Sequence, residues 1–318
     1  MTAVRTTITI EGGDVVSHYA DVSGVGLQPV GKHRTLVVSV QEGASGRWAV
    51  TSEARGSDAR SYGECETLDN PLEPLAELNL VAWLGQSNAR GSGDNTFDYV
   101  PDSDTDGRRH FYDLAGAWGS FDTEPLHKVP ALDSVQSGPG DGGFSSALRT
   151  IEQLCLARPG EHWGAIGAAV GGTSLADWAR STNRTTVYGH AWARIRGALR
   201  RPGAVLRAIV WYQGEADAQT EVAALAYAAT CQAVFDDLRS DLGLPELPII
   251  IVRIRTDGGG TYTSTVRAQQ ALLAQSSPPQ IVVDAPEGAE LLANQLHLNS
   301  EGQNALADLL VPAIEGTL

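Results

Sequence analysis

The chain has 318 residues, 42% apolar and 19% charged, so it can bury a sizeable core and lacks the composition of a disordered segment. Its 38 acidic residues outnumber 23 basic ones for a formal net charge of −15, which excludes nucleic acid and anionic membrane as charge-driven partners. Three cysteines, Cys65, Cys155 and Cys231, are too few and too scattered for a disulfide framework or a zinc site, and no run approaches the roughly 18 apolar residues of a membrane span.

The N-terminus, Met1-Thr2-Ala3-Val4-Arg5-Thr6-Thr7, has no continuous apolar stretch, so no export signal is read there. Short β-favouring runs follow at Thr6–Ile10, Val15–Tyr19, Thr35–Val40 and Arg47–Thr51, separated by glycine-rich breaks. That spacing predicts a small β-rich accessory domain over residues 1–70, an antiparallel sheet or sandwich. Asn70-Pro71-Leu72-Glu73-Pro74 marks a boundary, because two prolines in four residues resist both helix and central strand.

From residue 75 to 318 strand and helix alternate. Leu78–Leu84 reads as a buried parallel strand, Phe144–Leu156 as a helix, Trp163–Val170 as a strand and Ser174–Arg180 as a short helix start. Tyr188–Leu199 is helical, Ala204–Trp211 a strand, and Glu221–Leu242 a long helix expected to bury Leu225, Ala228, Phe235 and Leu238. Leu247–Ile254 is a β-branched strand, Ser264–Gln275 a helix, Gln280–Val283 a strand and Ser300–Ile314 the closing helix. The alternation predicts an α/β fold, a flavodoxin-like three-layer parallel sheet. Residues 92–142, rich in Gly, Asp and Ser with interspersed aromatics, read as a long loop beside the site.

Open parallel sheets collect ligands at the carboxyl ends of their strands, so the residues there carry the candidate chemistry. After the first strand stands Gly85-Gln86-Ser87-Asn88-Ala89-Arg90-Gly91, a serine on a glycine-flanked turn. After the second, Gly171-Gly172-Thr173-Ser174 offers backbone N–H groups that can approach an oxyanion closely. After the third comes Trp211-Tyr212-Gln213-Gly214-Glu215-Ala216-Asp217, and about ten residues beyond the last strand Asn294-Gln295-Leu296-His297-Leu298-Asn299. Each alone has a plain explanation: such a serine is ordinarily a helix cap, a double glycine a turn, a lone histidine a satisfied surface group. Four together at strand ends point to nucleophilic acyl transfer.

These blocks resemble the signatures of the SGNH hydrolase superfamily, in its sialate O-acetylesterase and acetylxylan esterase branch, over about residues 76–316. Residues 1–70 are not covered. The resemblance implies an esterase that removes acetyl groups from a carbohydrate with no cofactor and no metal. In it Ser87 attacks, His297 serves as base, and the N–H of Ser87, the N–H of Gly172 (or Gly171) and the side chain of Gln213 hold the oxyanion. Relatives of this branch often carry Asp three residues before the histidine, where this chain has Asn294. An amide cannot stabilise an imidazolium as a carboxylate does. Three readings stay open: Glu215 supplies the carboxylate, Asn294 orients the ring in a dyad, or the chain is a catalytically weak glycan-binding or structural protein that keeps the fold. Gln86, Arg90 and Trp178 are candidates for orienting or substrate contact, equally readable as packing, and Asp217 for orienting its block. A glycan esterase without an export signal also raises extracellular or virion-associated use, with residues 1–70 mediating self-association or attachment to a particle.

Overall fold

The computed structural model describes residues 77–91, 102–112, 144–276, 278, 280–289, 291–292 and 296–318, together with the backbone of 3–9, 16–22, 28–32, 35–41, 46–54, 57–65 and 118–119. The chain divides into two compact units, Met1–Pro74 and Leu75–Leu318.

In the first unit six strands pair antiparallel: β1 (Ala3–Thr9), β2 (Val16–Val22), β3 (Gln28–Lys32), β4 (Thr35–Gln41), β5 (Gly46–Ala54) and β6 (Ser57–Cys65). β1 pairs β4, and the others form a sheet in the order β3-β2-β5-β6. β3 and β6 were not among the runs read from sequence, since each contains glycine and little apolar periodicity.

The second unit is built on β7 (Leu78–Gly85), β8 (Arg109–Tyr112), β9 (Trp118–Gly119), β10 (His162–Gly167), β11 (Ala204–Tyr212), β12 (Ile249–Arg253) and β13 (Gln280–Asp284). Their order is β13-β12-β11-β7-β10-β8-β9, six parallel strands with only the two-residue β9 antiparallel. Without β8 and β9 the order is the flavodoxin-like 2-1-3-4-5, and its winding reverses between β7 and β11. β7 is buried at every position, as its near-continuous apolar run requires of a central strand covered on both faces. Helix α2 (Ser146–Ala157) packs with α6 (Ser300–Glu315), while α4 (Glu221–Leu242) packs with both α3 (Val187–Ala198) and α5 (Thr263–Leu273). No described helix is long and apolar enough to cross a membrane.

Two expectations are corrected. The stretch read as one long loop contains β8, the sixth parallel strand, whose Arg-His-Phe-Tyr sequence carries too little alternation to signal a strand by itself. Residues 92–101, 113–117 and 120–143 lie outside the described residues. On α4, Phe235 and Leu238 are buried and Ala228 is partly buried against the core, but Leu225 is 59% exposed; Ala224, Tyr227, Cys231 and Val234 complete the phase of the buried stripe. Tyr227 sets that phase, because its hydroxyl reaches into the core to donate to the Gln213 carbonyl at 2.7 Å.

Candidate active site

The serine turn begins with a close approach of two strands. Gly85 has φ +117, and a Cβ there would lie 2.1 Å from the Tyr212 carbonyl oxygen, so only glycine lets β7 end against β11. The Gln86 N–H then donates to that same oxygen at 2.9 Å, and the chain turns into α1 (Ser87–Arg90), a single helical turn. Ser87 therefore stands at the carboxyl end of the central strand, at the point where the winding reverses. It is 6% exposed.

His297 arrives from the far end of the chain. Its Nε2 lies 2.9 Å from Ser87 Oγ, across 210 residues of sequence. The loop carrying it is closed on itself: the Leu292 N–H donates to the His297 carbonyl at 2.8 Å, and Leu291 bridges Leu298. Asn299 ends the loop by capping α6, its Oδ1 accepting from the Gly302 N–H at 2.9 Å. Burial holds the His297 imidazole below the usual histidine range, and the nearby Arg90 charge adds to the effect. Asn294 lies outside the described residues.

The block after β11 is packed inward. Gln213 is fully buried, and its amide Nε2 donates to the Thr173 carbonyl at 3.0 Å and to Asp217 Oδ2 at 2.5 Å. The same Nε2 also lies 3.4 Å from Gln86 Oε1, so the amide end of Gln213 is engaged within the block. Asp217, 4% exposed, also accepts from the Leu175 N–H at 3.0 Å, so it ties the block to the turn after β10. Gln86 is buried too and accepts through Oε1 from the Ala216 N–H at 3.4 Å, which makes it an orienting group. For Trp178 the structure shows packing, one of the two readings left open. It is fully buried, donates to Thr173 Oγ1 at 3.2 Å and meets Trp211 edge-on at 4.8 Å between centroids, so it braces the double-glycine turn and cannot touch a substrate.

That turn itself is open. Gly172 has φ +73, is exposed, and has nothing within 4 Å of where a Cβ would stand. Beside it Arg90 lays its guanidinium against Gly171, 3.4 Å from that residue's Cβ position. Arg90 forms no hydrogen bond or ion pair among the described residues, and burial lowers its affinity for a proton. Serine hydroxyl, imidazole, an exposed glycine turn and one guanidinium thus share one rim.

Glu215 is 4% exposed and meets Asn88 instead of the imidazole. Its Oε1 accepts from Asn88 Nδ2 at 3.0 Å, and its Oε2 has no hydrogen-bond partner among the described residues. Burial raises its pKa, partly offset by the Asn88 bond. From sequence, Asn88 is only part of the serine motif. Its signal was a polar side chain directly after the nucleophile, at a position whose surroundings no local pattern discloses. Asp284, at the end of β13, is held by Arg253 at 2.6 Å and by Arg267 at 3.1 Å.

Residues 77–315 match the model of a family described as carbohydrate esterase, sialic acid-specific acetylesterase. A probable carbohydrate esterase of Arabidopsis thaliana is 35% identical over 191 residues, 60% of this chain and 68% of that protein. The solved structure of an Arabidopsis thaliana protein matches with a TM-score of 0.63 at 27% identity, covering 75% of this chain and 98% of that one. NanS matches at 0.58 with 16% identity, covering 77% of this chain and 98% of its own. A carbohydrate acetylesterase from Xanthomonas citri matches at 0.53 with 13% identity, covering 99% and 71%. The last two likenesses speak for the fold alone.

Proposed function

This chain belongs to the carbohydrate esterase family of sialic acid-specific acetylesterases, and on that premise we propose that it is a serine esterase hydrolysing O-acetyl esters on a carbohydrate. The observation that carries the residue assignment is the 2.9 Å separation of Ser87 Oγ and His297 Nε2 at the switch point of the sheet. Hydrogen-bond reach between a hydroxyl and an imidazole is what a nucleophile and its base require.

Ser87 Oγ attacks the acetyl carbonyl while His297 Nε2 takes its proton. The carbonyl oxygen becomes an oxyanion, whose stabilisation we assign to the N–H groups of Ser87 and Gly172. As the tetrahedral adduct collapses, the C–O bond to the sugar breaks and His297 returns the proton to the departing hydroxyl. Water, deprotonated by the same imidazole, then cleaves the acetyl-enzyme to acetate and free serine. A base must be neutral to act. Because burial and Arg90 lower the His297 pKa, the imidazole stays neutral at pH 7 and for some distance below the ordinary histidine value.

Release of acetate from a chromogenic acetyl ester and from acetylated glycans, lost in Ser87→Ala, tests the assignment. Purified protein that leaves acetyl esters intact over a broad pH range would refute it, and binding of an acetylated glycan without turnover would favour the glycan-binding alternative. For residues 1–70 the proposal is self-association or attachment to a larger particle. A solution mass of one protomer would count against the first.

A further inference from the structure

We propose that Asn88 is the positioning residue that aims His297 at Ser87, and that Glu215 serves the reaction through Asn88, as its hydrogen-bond acceptor, not as the carboxylate of the imidazole. The inference rests on Ser87 and His297 being nucleophile and base.

Asn88 holds the peptides on both sides of the histidine. Its Oδ1 accepts from the Leu298 N–H at 3.1 Å, and its Nδ2 donates to the Leu296 carbonyl at 3.4 Å. The remaining Nδ2 hydrogen goes to Glu215 Oε1 at 3.0 Å. Because Asn88 directly follows Ser87 in α1, one rigid helical turn carries both the nucleophile and the bracket around its base. The Asn88 carbonyl is anchored in turn by Gln303 Nε2 at 3.0 Å, and Gln303 Oε1 accepts from the Ser146 N–H at 2.9 Å. The turn is therefore tied to α6 and α2 as well.

The role of Glu215 follows from the chemistry of an amide, which has a donor end and an acceptor end of nearly equal shape. Rotating the Asn88 amide by half a turn would face its oxygen toward the Glu215 carboxyl and the Leu296 carbonyl, and its NH2 toward the Leu298 N–H. All three contacts would become repulsive. With Asn88 1% and Glu215 4% exposed, water cannot substitute for the lost bonds. Glu215 thus selects the amide orientation that closes the bracket. What this requires of Glu215 is an acceptor oxygen, which a glutamine also supplies. A carboxylate stabilising an imidazolium would be used for its charge, and replacing it by the amide costs about 10,000-fold in a serine hydrolase built that way.

The test compares the wild type, Glu215→Gln, Glu215→Ala, Asn88→Ala and the Asn88→Ala/Glu215→Ala double variant. Two readouts are taken below each variant's melting transition: kcat and KM for an acetyl ester, and the rate at which a fluorophosphonate labels Ser87. Glu215→Gln is expected to lower kcat by no more than about tenfold. Asn88→Ala is expected to lower kcat and the labelling rate about 100-fold with little change in KM, as misplacement of a base by about 1 Å does. Glu215→Ala should fall between these, and the double variant should be no worse than Asn88→Ala alone, because the two residues act as one unit. A loss near 10,000-fold in Glu215→Gln, or wild-type rates in Asn88→Ala, overturns the inference, as does a wild-type Ser87 that the fluorophosphonate does not label. If Ser87 labels with the expected ratios but no acetyl ester is cleaved, the inference stands and the acetylesterase reading falls.

Discussion

The two rims of the parallel sheet each hold a histidine pressed against a polar partner, and only one of them has the makings of a site. At the amino rim, His110 of β8 and His162 of β10 meet with Nε2 and Nδ1 3.0 Å apart. Burial, with the charge of Arg201 and the neighbouring ring, pulls His110 down to about 4, and His162 is lowered mainly by burial as well. Nearby charges there are answered: Arg207 pairs with Glu77 and donates to Asn79 at 2.6 Å, and Arg158 pairs with Glu161 at 3.5 Å. At the carboxyl rim His297 is lowered by the same cause, but it faces a serine hydroxyl, next to an exposed glycine turn and an Arg90 with no ion pair among the described residues. A depressed histidine pKa therefore marks burial in both places. What separates the rims is the partner of the ring and the polar groups left open toward a ligand.

The largest effects should fall on the carboxyl rim. Ser87→Ala or His297→Ala is expected to lower kcat for acetyl esters by about a million-fold, measured as acetate release. His110→Asn and His162→Asn should leave kcat within about twofold, and a comparable loss in either would dissolve the contrast between the rims. Next in size, Gly85→Ala should remove most activity together with stability, since its Cβ would overlap the Tyr212 carbonyl. Thermal melting would show both. The third effect is on pH. The acid limb of kcat/KM should lie below the ordinary histidine pKa, and Arg90→Gln should move it upward, because removing a nearby positive charge makes His297 easier to protonate. A limb that moves downward would contradict the placing of Arg90 beside the ring.

The smallest effect belongs to the amino rim. The folded-state pKa of His110, about 4, lies below its unfolded value near 6.5. The unfolded chain thus binds more protons between those values. This group's contribution to stability is full above pH 6.5 and is lost as the pH falls from 6.5 toward 4. His110→Asn should make the melting temperature fall less steeply between pH 7 and pH 4.5. An unchanged slope would show that His110 is not the group responsible.

Much of the second unit could be read along the chain. The apolar run of β7, the β-branched run of β12 and the helical spacing of α2 and α6 each declare themselves within a dozen or so residues. β8 did not, because a four-residue strand owes its conformation to its neighbours β10 and β9 and not to its own pattern. Leu225 of α4 misled for a related reason: in a run rich in alanine, several stripes look alike until Tyr227 finds Gln213. At the candidate site, Ser87 was singled out because strand ends in an open sheet are where such groups collect, and His297 by the block that follows the last strand. Gln213, Trp178 and Glu215 were named for the right neighbourhood, but their partners (Asp217 and Thr173 for the first, Thr173 and Trp211 for the second, Asn88 for the third) could not be read from it. Side chains in one short block can point to the rim or into the core, and local spacing does not distinguish the two.

Sequence by itself determined the chemistry available: a hydroxyl, a glycine pair and a carboxyl just after successive parallel strands, and an imidazole in the loop beyond the last. Tertiary structure alone decided who bonds to whom. The contacts that matter, Ser87 to His297, Asn88 to Glu215 and Asn88 to both sides of the histidine, span from 127 to 210 residues of chain. Hydrogen bonds act over about 3 Å, so partners so far apart in sequence become defined only when the sheet and the closing helix bring them together.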